Sequence, residues 1–282
     1  MNIKKTKRPF LYELVLISWL VRNILPIITL ITGHRYGYKL IELAIKYHVE
    51  NGKLKIVFVV LWSAHLIAVL ANLIYDIINY QLTEILQKPT SPLLIINFCS
   101  VLIEDVIYIS INYSISFICW MISFGVYERL KEMRKQLVNS KLNLYEVVSI
   151  RKQFLQMRND LIQADSCTQF GFFADCASIT FTLMLNIYIF IAGDKANSSF
   201  IPFLTYCLII TPKLIGDCLV CGLVHDQADQ LLKSVHQIDF DIKNERFYKE
   251  LMLFKTISSE VNFGFTFGGL VPLERTALLS VS

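Results

Sequence analysis

Residues 10–32, 54–80, 93–127, 170–192 and 200–224 form five long apolar stretches, and a sixth runs over 263–282. Crossing a bilayer takes about 20 mostly apolar residues, and no other feature narrows the fold so far. Lipid offers no water to unpaired backbone groups, so such stretches adopt helix. A β-barrel would show short alternating strands instead. The sequence therefore predicts an all-α fold: a polytopic transmembrane helical bundle with about six spanning segments, read as one receptor domain over residues 1–282. Composition agrees, with 54% hydrophobic and 18% charged residues against about 25% charged in soluble domains.

Cationic residues set the orientation, because cytoplasmic loops collect Lys and Arg. The loop after the first stretch holds Arg35, Lys39, Lys46, Lys53 and Lys55. The next connector holds only Lys88. Residues 128–169 hold Arg129, Lys131, Arg134, Lys135, Lys141, Arg151, Lys152 and Arg158. The connector 193–199 holds only Lys195, and 225–262 holds Lys233, Lys243, Arg246, Lys249 and Lys255. The count runs five, one, eight, one, five, which places the three basic loops in the cytoplasm. Asn197, in the Asn-Ser-Ser sequon of an outer connector, is then a candidate glycosylation site. Lys4, Lys5, Lys7 and Arg8 conflict with the alternation, which puts the amino terminus outside. Either residues 10–32 do not span, or a further helix precedes them. A net charge of +4 is too modest to imply nucleic acid.

The two long cytoplasmic loops carry helical periodicity. Val147, Ile150, Phe154, Met157 and Leu161 recur at three- and four-residue spacing, and Phe247, Leu251, Phe254, Ile257 and Val261 nearly do. Both read as amphipathic helices with one apolar face. That face packs on a neighbour within the chain or forms a collar where several subunits meet.

Polar groups inside membrane helices are costly and turn toward the bundle interior. The fifth stretch holds Pro212, Lys213, Gly216 and Asp217. Pro212 is placed to loosen the helix. Lys213 and Asp217, four apart, share a face, either as a structural ion pair or as the lining of a ligand cavity or ion path. Asn72, Tyr75, Asn97, Tyr108, Asn186, Tyr188, Thr205 and Tyr206 cluster toward the outer halves of the helices. They form a candidate ligand pocket, apolar and aromatic with a few amides, although interfacial belts also use Tyr. The seven cysteines sit mostly in apolar runs and read as small buried residues. Cys218 and Cys221, with His225 a turn further on, lack the fourth ligand and polar surround of a metal centre. No GxSxG, Walker, HExxH or GxGxxG pattern occurs, so the residues point to no enzyme chemistry, metal or cofactor.

The carboxyl-terminal run carries a family likeness. Phe265-Thr266, then Gly269-Leu270, then Arg275, then Leu278-Leu279-Ser280, resembles the last helix of the insect gustatory receptors. Glu274 departs from the Asn that commonly precedes that Arg. Loop placement is similar too: the family has seven helices, an inside amino terminus and long cytoplasmic loops after its fourth and sixth. The resemblance implies that residues 10–32 are the second family helix. A first helix and a closing Thr-Tyr…Gln-Phe signature are then expected outside this sequence, making it short at both ends.

The resemblance further implies a ligand-gated, non-selective cation channel with a small-molecule tastant as ligand. Its subunits would form a homo- or hetero-tetramer in the lipid bilayer of the plasma membrane, in a sensory neuron dendrite. The last helix would line the pore. A G-protein-coupled chemoreceptor and a secondary transporter are the alternatives. The first lacks its Asp-Arg-Tyr and Asn-Pro-x-x-Tyr signatures here, and the second lacks visible repeats.

Overall fold

A computed structural model describes residues 31, 35–48, 55–57, 59–64, 66–67, 70, 92–139, 143–192, 200–238, 245–259, 263–267, 269 and 271–272. Within 92–109, 174–179, 181–183, 185–192 and 200–212, and at 112, 139, 170, 258, 259, 267, 271 and 272, it describes the backbone and not the side chains. The stretch at 10–32 lies outside these residues, as does much of 54–80.

The described elements are helices α1 (35–46), α2 (Pro92–Asn139), α3 (Leu144–Ala192), α4 (Phe200–His236) and α5 (Glu245–Ser259). Two short strands follow, β1 (Thr266–Phe267) and β2 (Val271–Pro272). At 48 and 49 residues, α2 and α3 are each about 70 Å long at 1.5 Å per residue. That is more than twice the roughly 30 Å of a hydrocarbon core. The apolar stretches at 93–127, 170–192 and 200–224 thus run on as single helices with loop residues beside them, those at 170–192 with the amphipathic helix read at 147–161, while the one read from Phe247 is the separate α5. The boundaries expected at Tyr127, Phe170 and Val224 are not breaks. Among the described residues, no helix is long and apolar enough to cross a membrane. The apolar runs at 93–109, 174–192 and 200–212 fall largely on residues whose side chains are outside the description.

The chain divides into two compact units. One comprises Met1–His34, Asn51–Ser114 and Phe173–Leu214, the other Arg35–Glu50, Ile115–Phe172 and Ile215–Ser282. In the first, the described aliphatic side chains Ile56, Val59, Val60, Ile67 and Met184 are exposed. An apolar face of this kind calls for a covering of its own polarity.

The second unit is built on apolar seams at three- and four-residue spacing. They run along Leu40–Leu43–Ala44–Tyr47 on α1 and Cys119–Ile122–Val126–Leu130–Met133–Leu137 on α2. Those of α3 and α4 are Ile150–Phe154–Met157–Leu161–Ala164 and Cys218–Cys221–Val224–Ala228–Leu231–Val235. Leu251 and Phe254 of α5 complete the core. This spacing puts one stripe of each helix inward. The face read at 147–161 therefore packs within the chain, and Phe154 lies 5.5 Å from the ring of Phe254 and 4.9 Å from that of Phe263. α3 starts at Asn143, whose Oδ1 accepts the Glu146 N–H while Glu146 Oε2 accepts the Asn143 N–H, both at 2.9 Å. This reciprocal capping box satisfies two donors at the helix start.

A polar knot ties α1 into the unit. Asp160 of α3 accepts from Lys46 Nζ at 2.6 Å and from the Tyr47 hydroxyl at 2.5 Å. Arg129 of α2 donates to the Lys46 carbonyl at 2.7 Å and stands 4.6 Å from the Tyr47 ring centroid. Burial, and then the Asp160 carboxylate, push the Tyr47 hydroxyl well above its ordinary range, so it remains a donor. Gly125 permits the approach, because a Cβ there would collide with the Tyr47 carbonyl.

The last stretch departs from expectation. A helix was expected from Phe263, but the described residues form an antiparallel hairpin with Thr266 opposite Pro272 and Phe267 opposite Val271. The reason is local. Gly269 takes φ of +74° and Gly264 +152°, values outside the helical region. Pro272 has no N–H to give a helix ladder. Gly269, between the strands, holds a left-handed conformation that glycine adopts without strain.

Gly125→Ala is expected to loosen α1 from α2 and lower the thermal midpoint of the detergent-purified protein. An overpacked core site typically costs about 1–3 kcal/mol. Gly37→Ala, with open space around it, is expected to leave that midpoint unchanged or higher, and a thermal melt of both variants checks the pair.

Candidate functional site

Two polar arrangements stand out among the described residues of the second unit, and the sequence pointed to one partner of each. The first centres on Asp217. Its position on α4 is one residue from the seam residue Cys218, so the carboxylate is buried, at 1% exposure. Trp120 Nε1 donates to Asp217 Oδ1 at 2.8 Å, and Ser116 Oγ to Oδ2 at 3.4 Å. The indole can lie against α4 because residue 216 is Gly, where a Cβ would stand 2.8 Å from Trp120 Cζ2. Gly216-Asp217 is thus a seat for Trp120, one residue giving space and the next an acceptor. A buried Trp needs such a partner for its N–H. In the first unit, the Lys213 ammonium is buried 5.7 Å from the ring centroid of Tyr113, a cation–π arrangement. α4 runs through Pro212 unbroken.

Cys218 and Cys221, beside Asp217, are buried thiols outside any disulfide. Ser123 Oγ contacts Cys221 Sγ at 3.8 Å. The Nδ1 of His225 faces the Phe263 carbonyl at 3.3 Å. Among the described residues no group of three or more potential ligands could hold a metal ion.

The second arrangement explains part of the carboxyl-terminal motif. Phe265 is fully buried with its ring 6.2 Å from that of Phe172, edge to face. Thr266 donates its N–H to Asp165 Oδ1 and its hydroxyl to Oδ2, both at 2.7 Å. The Gly269 N–H donates to Thr266 Oγ1 at 3.0 Å. Gly269 also sits where a Cβ would meet the Gln169 amide oxygen. Three motif residues, Phe265, Thr266 and Gly269, therefore fix the hairpin on α3. Leu270, Arg275, Leu278, Leu279 and Ser280 lie outside the described residues.

Of the proposed pocket, Asn97 and Tyr108 lie on α2, Asn186 and Tyr188 on α3, and Thr205 and Tyr206 on α4, with side chains outside the description. Asn72, Tyr75 and Asn197 fall outside the described residues altogether. Sequence reasoning missed Trp120, Asp160 and Asp165. Asp160 was findable: it falls three residues after Met157 and four before Ala164, on the seam itself, and a carboxylate there must be paired.

This fold has a likeness among solved structures. The likeness is to the olfactory receptor OR5 from Machilis hrabei, a structure solved in complex with eugenol, with a TM-score of 0.58 over 89% of this chain. Sequence identity is 14%, and the chain spans 65% of the length of that receptor. No family model and no curated protein matches the sequence.

Asp217→Ala is expected to leave Trp120 and Ser116 without their acceptor, at roughly 1–3 kcal/mol for buried donors left unsatisfied. Asp217→Asn retains an acceptor for the indole and is expected to lose less. Thermal unfolding followed by tryptophan fluorescence in detergent checks the order.

Proposed function

We propose that this chain is a subunit of a ligand-gated, non-selective cation channel of the gustatory type. It sits multi-pass in the plasma membrane of a sensory neuron dendrite, assembles as a homo- or hetero-tetramer, and takes a small-molecule tastant. The observation that carries the reading is the shared fold with an insect olfactory receptor over 89% of the chain. Two sequence features support it: the alternation of basic and nearly uncharged connectors, and the run from Phe265 to Ser280. The exposed aliphatic side chains of the first unit are the kind of face that lipid covers.

On this reading the ligand enters among the outer halves of the helices, near Asn72, Tyr75, Asn97, Tyr108, Asn186, Tyr188, Thr205 and Tyr206. It opens the pore only to the extent that it binds the open state better than the closed one. Lys213 and Asp217 remain further candidates for contact with the ligand, and each engages an aromatic neighbour within its own unit. The last stretch lines the pore, where an apolar constriction gates by dewetting. The role is a receptor's and not an enzyme's.

The test is expression of the full-length gene in oocytes. A panel of sugars and bitter compounds is expected to evoke a cation current that reverses near zero and survives block of G-protein signalling. Asn197 is expected to carry a glycan, seen as a mobility shift that endoglycosidase reverses and Asn197→Gln abolishes. A response lost when G proteins are blocked would overturn the channel reading, and an unshifted Asn197 with glycan on a basic loop would overturn the orientation.

A further inference from the structure

The outward face of α1 carries two stripes that the core leaves unused. Tyr38, Ile41 and Ile45 recur at three- and four-residue spacing and are exposed, Tyr38 at 83% and Ile45 at 72%. Beside them Arg35, Lys39, Glu42 and Lys46 recur at the same spacing, all of them exposed. Lys46 is held by Asp160. Arg35 stands 5.5 Å from the ring centroid of Tyr36. Among the described residues neither Arg35 nor Lys39 forms an ion pair. A face that is part apolar and part cationic calls for an occupant that is part apolar and part anionic.

The depth of that face follows from its neighbour. α1 lies along α3 and antiparallel to it: Lys46 and Tyr47 meet Asp160, while Lys39 is close enough to Cys167 for its charge to act on that thiol. From Lys39 to Lys46 and from Cys167 back to Asp160 the count is the same, so the two helices advance in step. Tyr38 is then level with Thr168, Ile41 with Asp165 and Ile45 with Leu161. The apolar stretch of α3 begins at Phe170. At 1.5 Å per residue, Tyr38 falls about 3 Å outside it, Ile41 about 7 Å and Ile45 about 13 Å. The polar layer between hydrocarbon and water is roughly 5–8 Å thick on each side of a bilayer. Tyr38, Lys39 and Ile41 lie within that layer, and Ile45 lies beyond it. Arg35 follows the apolar stretch 10–32 by three residues, which places it at the same border. Tyrosine suits this layer, and long cationic side chains reach from it to phosphate. The loop is on the basic, cytoplasmic side, where the leaflet carries acidic phospholipids.

We propose that Arg35, Tyr38, Lys39 and Ile41 form a binding site for an acidic phospholipid of the cytoplasmic leaflet. The two cations take the charged headgroup, and Tyr38 and Ile41 take the apolar part next to it. The site rests on the transmembrane placement in the proposed function and not on its ligand or its conductance. A lipid bound there fixes the start of α1 as the Asp160 knot fixes its end.

Photo-crosslinking of the full chain in mixed micelles of nonionic detergent tests this, with phosphatidylserine and phosphatidylcholine carrying the same diazirine near the glycerol. At low salt, phosphatidylserine is expected to label the peptide covering residues 35–47 about twenty- to thirtyfold more than phosphatidylcholine, a preference that fades as salt rises. Arg35→Gln and Lys39→Gln together are expected to bring that labelling down to the phosphatidylcholine level, and each alone to cost about fivefold. Both side chains are exposed, so the double variant is expected to keep the thermal midpoint of the wild type, which serves as the folding control. Ile45→Ser, beyond the polar layer, is expected to keep the lipid preference. Equal labelling by the two lipids, or a preference that survives the double variant, would overturn the proposal. Displacement of phosphatidylserine by an equal concentration of inorganic phosphate would overturn it in favour of a free anion. Loss of label in Ile45→Ser would overturn it in favour of a protein seated on the whole stripe. A chain that is monodisperse in buffer without detergent would sink the transmembrane reading itself, and the site with it.

Discussion

A carboxylate on an apolar seam is the constraint around which the second unit is arranged. Asp160 shares a helix face with Met157, Leu161 and Ala164, so the packing that buries them buries it as well. An ion left there without partners would cost several kcal/mol, in the range of ~3–5 when one member of a buried pair is removed. Lys46 and Tyr47 supply the partners, and they can do so only from the end of α1. The end of α1 must then lie against α2 closely enough for Arg129 to reach the Lys46 carbonyl. That closeness in turn leaves no room for a side chain at Gly125. One charge on α3 thus dictates the position of α1 and of an arginine and a glycine that both lie on α2.

The seams do the rest of the work of folding this unit, and they explain why its helices are so long. Ending a helix leaves its last four carbonyls without an intrahelical partner. Continuation wins when the next turns have something to bury. Leu130, Met133 and Leu137 keep the α2 stripe going after Tyr127, as Ala228, Leu231 and Val235 do for α4 after Val224. Lateral ion pairs and amide contacts, Arg151 with Glu250 and Arg134 with Gln230, lie at the edges of these stripes. They fix orientation more than they add stability, since partly exposed pairs contribute about 0–1 kcal/mol.

How much was legible in the sequence follows from whether a feature is periodic. The seam of α3 over residues 147–161 was visible because its spacing repeats, and all five of its residues are buried. The hairpin was not visible as a hairpin. Residues 263–272 are as apolar as a helix of the same length, and hydropathy averages cannot register a backbone angle. The signal was in Gly264, Gly268, Gly269 and Pro272, four helix-breaking residues within nine positions, which the motif likeness outweighed. Asp217 was noticed for its charge, and its spacing from Lys213 read either as an ion pair or as the lining of a cavity or ion path. Its described donors, Ser116 and Trp120, lie about a hundred residues away in sequence, a distance that pattern cannot bridge. Asp165 was overlooked because one acidic residue beside a polar Ser166 looks like any solvated helix position.

The same contrast separates what is rigid here from what can change state. The α3 seam buries whole aromatic and aliphatic side chains, each worth about 1.5–3 kcal/mol, and its contacts reinforce one another along the helix. The hairpin has two-residue strands, too short to persist unaided. It holds its shape through the buried rings of Phe263 and Phe265 on one side and the Asp165 carboxylate on the other. The rings anchor it by burial, and the carboxylate orients it by accepting from the Thr266 amide and hydroxyl. Segments with few buried contacts open more readily than a packed core. A hairpin of two-residue strands held by one carboxylate and two rings, beside a core bound by many apolar contacts, is therefore the part of this unit that opens before the seams do.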